Sequence, residues 1–199
     1  MDIRDENGKR IDPKMEGPEQ ELANTYIRAD DCVLELGARY GSVSCLINSK
    51  LNCKKNHVAV EPDERVWNAL EHNRSVNNCD FHIVKGFVSN KKLSLTEITS
   101  YDGYGTTSVE NKDTTIPSYS LKEIQQTYDL SFNVLVADCE GFLESFLDDN
   151  PDFPDNLRLI IFEADYPEKC NYTKIRSILE YDKDFTELLF GHQNVWIKS

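Results

Sequence analysis

The sequence predicts an α/β domain built on a doubly wound, mostly parallel sheet of seven strands. Short apolar stretches alternate with segments of helical periodicity between residues 32 and 163, which is the pattern of consecutive β-α-β units. The last two predicted strands are joined by the tight turn Gly191-His192-Gln193, so the final strand should run antiparallel to the others. Together these observations predict the strand order 3-2-1-4-5-7-6 in a single domain of 199 residues.

Apolar runs and the breakers between them place each element in turn. The seven strands are predicted at residues 32–36, 57–61, 80–86, 132–138, 157–163, 184–190 and 194–198. Helices are predicted at residues 18–29, 41–50, 63–77, 120–127, 141–148 and 168–182. Pro18 and Pro62 stand where the first and third helices should begin, a position that suits proline. Residues 1–15 are polar and charged, and we expect them to be peripheral or flexible.

Residues 87–118 interrupt the alternation of strands and helices. An edge strand is expected over residues 88–95, and the stretch 101–108 that follows is rich in glycine, tyrosine and hydroxyl side chains. A long connection without periodicity either only links two elements or has a function. One interpretation is a plain surface loop, and the other is a lid over a bound substrate, because aromatic and hydroxyl side chains suit a polyol.

Composition and charge limit the classes of partner. The formal net charge is −13, and the basic pairs Lys54-Lys55 and Lys91-Lys92 are isolated, so neither nucleic acid nor an anionic membrane surface is an expected partner. No apolar run reaches membrane-spanning length, and the charged stretch 1–6 is unlike a signal peptide. The six cysteines form no Cys-x-x-Cys pair, which argues against a zinc site and favours a reducing, cytoplasmic compartment.

The end of the first predicted strand has the features of a nucleoside-binding corner. An apolar strand carrying Glu35 runs into Gly37, and Gly41 stands where a helix should begin, so that the backbone can approach a ligand closely. The dinucleotide fingerprint Gly-x-Gly-x-x-Gly would need glycine at Arg39 and Ser42. The spacing Glu-x-Gly-x-x-x-Gly is instead similar to that of S-adenosylmethionine (SAM) methyltransferases. An ordinary strand–turn–helix corner is the alternative.

Further polar residues are predicted at the same edge of the sheet. Glu61 ends the second strand about twenty residues later, as expected for a carboxylate that binds ribose hydroxyls. Ligands in such sheets lie beyond the carboxyl ends of the parallel strands, where Gly86, Asp138 and Glu163 also fall. Of the four histidines, only His192 in the terminal turn is placed to reach a substrate, with a solvated turn residue as the alternative.

The stretch Asp138-Cys139-Glu140-Gly141 brings two acids out of a buried strand, which is costly unless they have partners. Asp138 is predicted to face a cofactor sulfonium or an acceptor, and Glu140 is expected to cap the following helix. Asp138 with Glu163 or Asp165 is predicted to hold a divalent cation, Mg²⁺ or Mn²⁺, through oxygen ligands. The alternative is an acidic pocket that binds a polyhydroxyl substrate without metal.

Five segments between residues 30 and 165 resemble, in order, the FkbM-type family of SAM-dependent O-methyltransferases. They are Glu35-x-Gly37-x-x-x-Gly41, Val60-Glu61-Pro62, Val84-Lys85-Gly86-Phe87-Val88-Ser89, Val136-Ala137-Asp138-Cys139-Glu140-Gly141 and Ile160-Ile161-Phe162-Glu163. By position, the resemblance implies that the cofactor is bound by Glu35, Gly37, Ala38, Tyr40, Gly41, Ser42, Glu61, Pro62, Gly86, Phe87, Val88 and Asp138. The chain departs from the family at Leu143, where the family has a glutamate.

The resemblance implies transfer of a methyl group from SAM to a hydroxyl, most often of a sugar or glycan, with Asp138, Glu140 and Glu163 facing the transfer site. The predicted catalytic residues are Asp138, His192 and Glu163. His192 or Asp138 would act as base, and a cation on Asp138 and Glu163 would bind the hydroxyl directly. The alternatives are a natural-product acceptor, a SAM-binding module without catalysis and an NAD-dependent oxidoreductase, the last disfavoured by the missing glycines.

Overall fold

A computed structural model describes residues 1–12, 14–96 and 105–198. Its strands are β1 (Val33–Leu36), β2 (His57–Glu61), β3 (His82–Lys85), β4 (Phe87–Val88), β5 (Leu93–Leu95), β6 (Ser108–Glu110), β7 (Ser118–Tyr119), β8 (Val134–Ala137), β9 (Leu159–Glu163), β10 (Phe185–Leu189) and β11 (Gln193–Lys198). Its α-helices are α1 (Gly17–Tyr26), α2 (Ser42–Lys50), α3 (Trp67–Val76), α4 (Leu121–Tyr128), α5 (Leu143–Asp149) and α6 (Tyr172–Ser177). A 3-10 helix covers Phe153–Asn156, and a π-helical turn covers Ile178–Asp182.

Seven of these strands form the main sheet, in the order β10-β11-β9-β8-β1-β2-β3. The strands from β3 to β9 in this order are parallel, whereas β11 runs antiparallel to both β9 and β10. When the seven are numbered along the chain, the order is 3-2-1-4-5-7-6, which confirms the predicted α/β fold. The carboxyl ends of β1, β2, β8 and β9 therefore meet at one edge, where ligands bind in sheets of this kind.

Apolar packing on both faces explains why the central strands are almost continuously apolar. Every residue of β1 and β8 is buried. Successive side chains point to opposite faces, so Leu34 packs in one cluster with Phe162 and Trp196, and Val33 packs in another with Ile161.

Some predicted boundaries were wrong for local reasons. The predicted helix 63–77 begins only at Trp67, because the Asp63 Oδ1 atom accepts the backbone N–H of Arg65 at 3.0 Å and holds a turn there. The predicted helix 168–182 divides into α6 and the π-helical turn. Gln193, predicted to be in the terminal turn, is the first residue of β11.

The amino-terminal segment packs more closely than predicted. Ile3 is fully buried in a cluster with Tyr40 and Phe81. The backbone N–H of Arg4 donates to Oδ1 of Asn73 on α3 at 3.0 Å. These contacts correct the expectation of a peripheral or flexible segment. Ile3 stands among charged neighbours, so the sequence gave little indication that it would be buried.

The predicted insertion 87–118 forms small strand pairs rather than one edge strand over 88–95. Strand β4 pairs in parallel with β7, and β5 pairs antiparallel with β6. Part of the predicted lid, residues 97–104, lies outside the described residues. Just after it, Gly105 contacts two side chains from the sheet edge, since its N–H donates to Glu140 Oε1 at 2.8 Å and its carbonyl accepts from Tyr166 Oη at 3.2 Å.

Within the described ranges, the helices are all too short or too polar to cross a membrane.

Candidate functional site

Two adjoining cavities open at the carboxyl ends of the parallel strands. The larger encloses about 740 Å³, a volume that includes open solvent at its mouth. Among the predicted cofactor-binding residues, its lining contains Gly37, Glu61, Pro62, Gly86, Phe87, Val88 and Asp138. The smaller has a volume of about 390 Å³ including open solvent, and its lining contains the predicted residues Glu35, Gly37, Ala38, Asp138 and Glu163. The remaining predicted cofactor residues line neither cavity; they are Tyr40, Gly41 and Ser42.

Gly37 is required by packing between strands. Its φ is +88°, and a Cβ atom there would lie 1.6 Å from the backbone carbonyl oxygen of Asp138. The N–H groups of Gly37 and Ala38 both donate to the carbonyl of Val60, at 3.0 and 3.1 Å. Those donors are therefore engaged within the protein and do not form the cradle of free N–H groups that a pyrophosphate needs.

Glu61 presents a buried carboxylate to the larger cavity. Its Oε2 atom accepts the N–H of Arg39 and its Oε1 atom accepts the N–H of Asp63, each at 2.7 Å. Burial raises the pKa of Glu61 to about 7. A carboxylate has about four acceptor positions, so two remain for a ligand that brings hydroxyl donors.

Gln in place of Glu61 tests this role. Glu61→Gln should weaken the affinity for SAM about tenfold or more. The NH₂ group of the glutamine would then face one of the two backbone N–H donors, and one acceptor oxygen would be lost. Isothermal calorimetry measures the change. The matched control is Glu64→Gln, three residues along the chain and exposed, which should bind SAM as the wild type does. Equal affinity in both variants would contradict a ligand-binding role for Glu61.

Glu35 does not reach the larger cavity. It is the third of four residues in β1, and its Oε2 atom lies 2.9 Å from Nε2 of His57, with both side chains buried. The pair forms because parallel register places His57 beside the first residue of β1. The register of the two strands is the signal that could have found this pair. The role of Glu35 towards the cofactor stays a prediction.

Three predicted acidic residues do converge at the sheet edge. Asp138, Glu163 and Asp165 each offer a carboxylate oxygen, and these oxygens lie within 4.8 Å of one another. Burial, followed by the charges of Glu163 and Glu140, raises the pKa of Asp138 well above its usual range. The Asp165 Oδ1 atom is buried and has no hydrogen-bond partner among the described residues. Such an oxygen donor set fits a hard divalent cation.

His192 lies beside this cluster. Its Nε2 atom is 2.8 Å from Glu163 Oε1, and its side chain is 63% exposed. The other Glu163 oxygen accepts from Gln193 Nε2 at 2.7 Å. The structure thus brings His192 and Glu163 together, but His192 lines neither cavity. Sequence reasoning missed Gln193 because it was assigned to the turn.

Glu140 does not cap the following helix. Helix α5 begins at Leu143 after an N-cap residue, Phe142, that makes no side-chain cap. Glu140 has φ +52° and instead accepts the N–H of Gly105. Burial and the neighbouring Asp165 raise the pKa of Glu140 to about 8. The reason is tertiary, since Gly105 is 35 residues earlier in the chain and lies close to this edge.

Glu16 and Arg39 are cavity residues that the sequence did not indicate. Glu16 precedes α1 and lines both cavities. Arg39 lines the larger one, with its guanidinium 3.4 Å from Asp63 and 3.2 Å from the Tyr40 hydroxyl. No local pattern marks Glu16, because only packing of the amino-terminal segment brings it to the sheet edge.

The raised carboxyl pKa values make stability depend on pH. Burial is the main cause of a pKa near 8 for Glu16 and Glu140 and near 7 for Glu19 and Glu61, against 4.5 ordinarily. Between the ordinary pKa and the raised ones, these carboxyl groups are protonated in the folded state and ionised in the unfolded state. The free energy of unfolding should therefore fall as pH rises from about 5.5 to about 8.5. Thermal unfolding at constant ionic strength measures this. A melting temperature that rises over that range would contradict it, and Glu61→Gln should flatten the dependence.

Comparison with known proteins supports the fold. No protein-family model matches the chain, and no curated protein sequence matches it. The fold is similar to precorrin-6y C5,15-methyltransferase from Geobacter metallireducens, with 13% identity, a TM-score of 0.56 and coverage of 90% of this chain and 88% of the other. It is also similar to an O-methyltransferase from Bacillus cereus in complex with SAH, with 11% identity, a TM-score of 0.56 and coverage of 94% and 82%.

A protein of the NADB-Rossmann superfamily from Streptococcus agalactiae is similar as well, with 9% identity, a TM-score of 0.55 and coverage of 91% of this chain and 68% of the other. The fold is Rossmann-like. Methyltransferases are among the proteins that share it. The likeness at these identities concerns the fold, and the FkbM-type family remains a resemblance of motifs.

Proposed function

We propose that this protein is a SAM-dependent O-methyltransferase. The observation that carries the proposal is the larger cavity, which lies at the carboxyl ends of β1 and β2 and contains the buried Glu61 carboxylate. A nucleoside offers the ribose hydroxyls that such a carboxylate accepts. The likeness in fold to the Bacillus cereus O-methyltransferase, whose structure contains SAH, supports the same reading.

The walls of the larger cavity suit the rest of an adenosine. Phe87, Val88 and Phe142 supply apolar surface on one side, where a flat base can pack. The first turn after β1 has no free N–H at Gly37 or Ala38, as described above. A donor without phosphates is therefore favoured over a dinucleotide such as NAD.

The proposed reaction is a direct displacement. The acceptor hydroxyl oxygen attacks the methyl carbon, the carbon–sulfur bond breaks, and the hydroxyl proton passes to a base. Positioning supplies much of the rate enhancement, because oxygen, carbon and sulfur must align. Asp138 lies between the two cavities, where its carboxylate would be placed to accept that proton. His192, oriented by Glu163, is the alternative base.

Asp138, Glu163 and Asp165 would hold a divalent cation, Mg²⁺ or Mn²⁺, at the sheet edge. Such a cation would supply Lewis-acid chemistry by lowering the pKa of a bound hydroxyl. The proposed acceptor is a sugar or glycan, because several carboxylates at one edge offer acceptors for neighbouring hydroxyl groups.

Removing metal with EDTA should lower turnover and adding Mg²⁺ or Mn²⁺ should restore it. Full activity in stripped protein would contradict the cation.

The function is tested in two steps. Calorimetry with SAM, SAH and NADH should give binding of the first two only. A screen of sugars and glycans for label from methyl-labelled SAM, with and without Mg²⁺ or Mn²⁺, should then identify an acceptor. Binding of NADH with no binding of SAM would overturn the proposal. Binding of SAM without transfer to any acceptor would indicate a binding module instead of an enzyme.

A further inference from the structure

Glu16 reaches the proposed donor site from outside the repeating β-α-β units. It is the residue before α1, and its carboxylate accepts a hydrogen bond from the hydroxyl of Ser42, the first residue of α2. Ser42 is buried, so this contact anchors the Glu16 side chain at the start of α2. The carboxylate is thus held at a defined place beside the cavities.

The smaller cavity is strongly acidic. Its lining contains five carboxylate residues and, within the described part of the chain, neither lysine nor arginine; the acids are Glu16, Glu19, Glu35, Asp138 and Glu163. Burial and the charges of Glu35, Glu19 and Glu163 raise the pKa of Glu16 to about 8, whereas Arg39 opposes the rise. Mutual repulsion of this kind is relieved by a cationic occupant.

The two cavities share a wall, and Glu16 belongs to it. The residues common to both linings are Glu16, Leu36, Gly37 and Asp138. If the larger cavity holds the adenosine of the donor, the amino-acid chain of the donor extends past the shared wall. The sulfur that joins these two parts must then lie near the shared wall.

We propose that Glu16 is a specificity-determining residue that favours the sulfonium of SAM over the neutral thioether of the product SAH. This inference rests on the proposed function. The ammonium group is present in both molecules, so the charge on sulfur is the difference that a carboxylate at the shared wall can sense. Weaker binding of the neutral product helps it to leave after transfer.

The test compares the affinities of one variant for two ligands, SAM and SAH. Glu16→Gln keeps the shape of the side chain and its acceptor for Ser42 but removes the charge. At about pH 8.5, calorimetry should show that SAM affinity falls about tenfold and SAH affinity changes less than about twofold. Glu21→Gln, an exposed residue on α1, is the matched control and should leave both affinities unchanged.

The outcomes distinguish a failure of this inference from a failure of the proposed function. Wild-type protein that binds neither SAM nor SAH would overturn the proposed function. Wild-type protein that binds both, with the same SAM-to-SAH ratio in Glu16→Gln, would overturn the role of Glu16 alone. Glu16→Asp keeps the charge and should keep most of the preference. If Glu16→Gln does not fold, Glu16→Ala removes the same charge, and the ratio of SAM affinity to SAH affinity is expected to fall.

Discussion

Asp138→Asn is expected to lower methyl transfer at least about 100-fold, by far more than it weakens SAM binding. Asp138 lies in the wall between the two cavities, and its carboxylate oxygen is within 4.8 Å of those of Glu163 and Asp165. Asparagine keeps the shape of the side chain but neither accepts a proton nor carries the charge that would attract a cation. Turnover is measured with labelled SAM and the acceptor found by screening, and SAM affinity is measured by calorimetry.

The matched control is Asp152→Asn, an exposed residue on the loop that precedes the 3-10 helix. It should leave both quantities unchanged. Unchanged turnover in Asp138→Asn would remove Asp138 from the mechanism. Loss of SAM binding together with turnover would assign the residue to donor binding rather than to transfer.

Gly37→Ala is expected to destabilise the fold by about 4 kcal/mol or more, or to prevent folding. The added Cβ atom would lie 1.6 Å from the Asp138 carbonyl oxygen, which is backbone and cannot move aside cheaply. The collision separates β1 from β8 at the place where both cavities meet. Chemical denaturation measures the loss, and any folded fraction should have lost SAM binding.

Gly8→Ala separates the collision from the cost of the backbone conformation. Gly8 also has a positive φ, +77°, but a Cβ atom there would have no neighbour within 4 Å. It should therefore cost only about 1–2 kcal/mol. If the two variants lose equal stability, the close approach of Asp138 is not what makes glycine necessary at position 37.

The fold was predictable because its signals are local and repeated. Each buried parallel strand is a short apolar run, and each crossover places the next strand beside the sheet with the same hand. The tight turn after residue 190 was enough to predict an antiparallel last strand, and the pairing of β11 with β9 and β10 confirms it. Boundaries were less certain where a side chain competes with the helix, as Asp63 does before Trp67.

The edge at which the strand-end acids would gather was also predictable, because parallel strands end on the same side. Their partners were not. Glu35 pairs with His57 across the sheet, and Glu140 turns towards Gly105 instead of capping α5. Glu16, just before α1, lies at both cavities and is bonded to Ser42 of α2, a contact that no local pattern indicates.

The sequence by itself determined the seven-stranded sheet, its order and the edge that faces a ligand, because apolar periodicity and turn residues act over a few positions at a time. Only the tertiary structure decided which other partners the acids take: Glu35 pairs with His57, Glu140 accepts from Gly105, and Glu16 lies at the shared wall. The physical reason is that side-chain direction and burial depend on contacts between segments far apart in the chain, and no local pattern records those contacts.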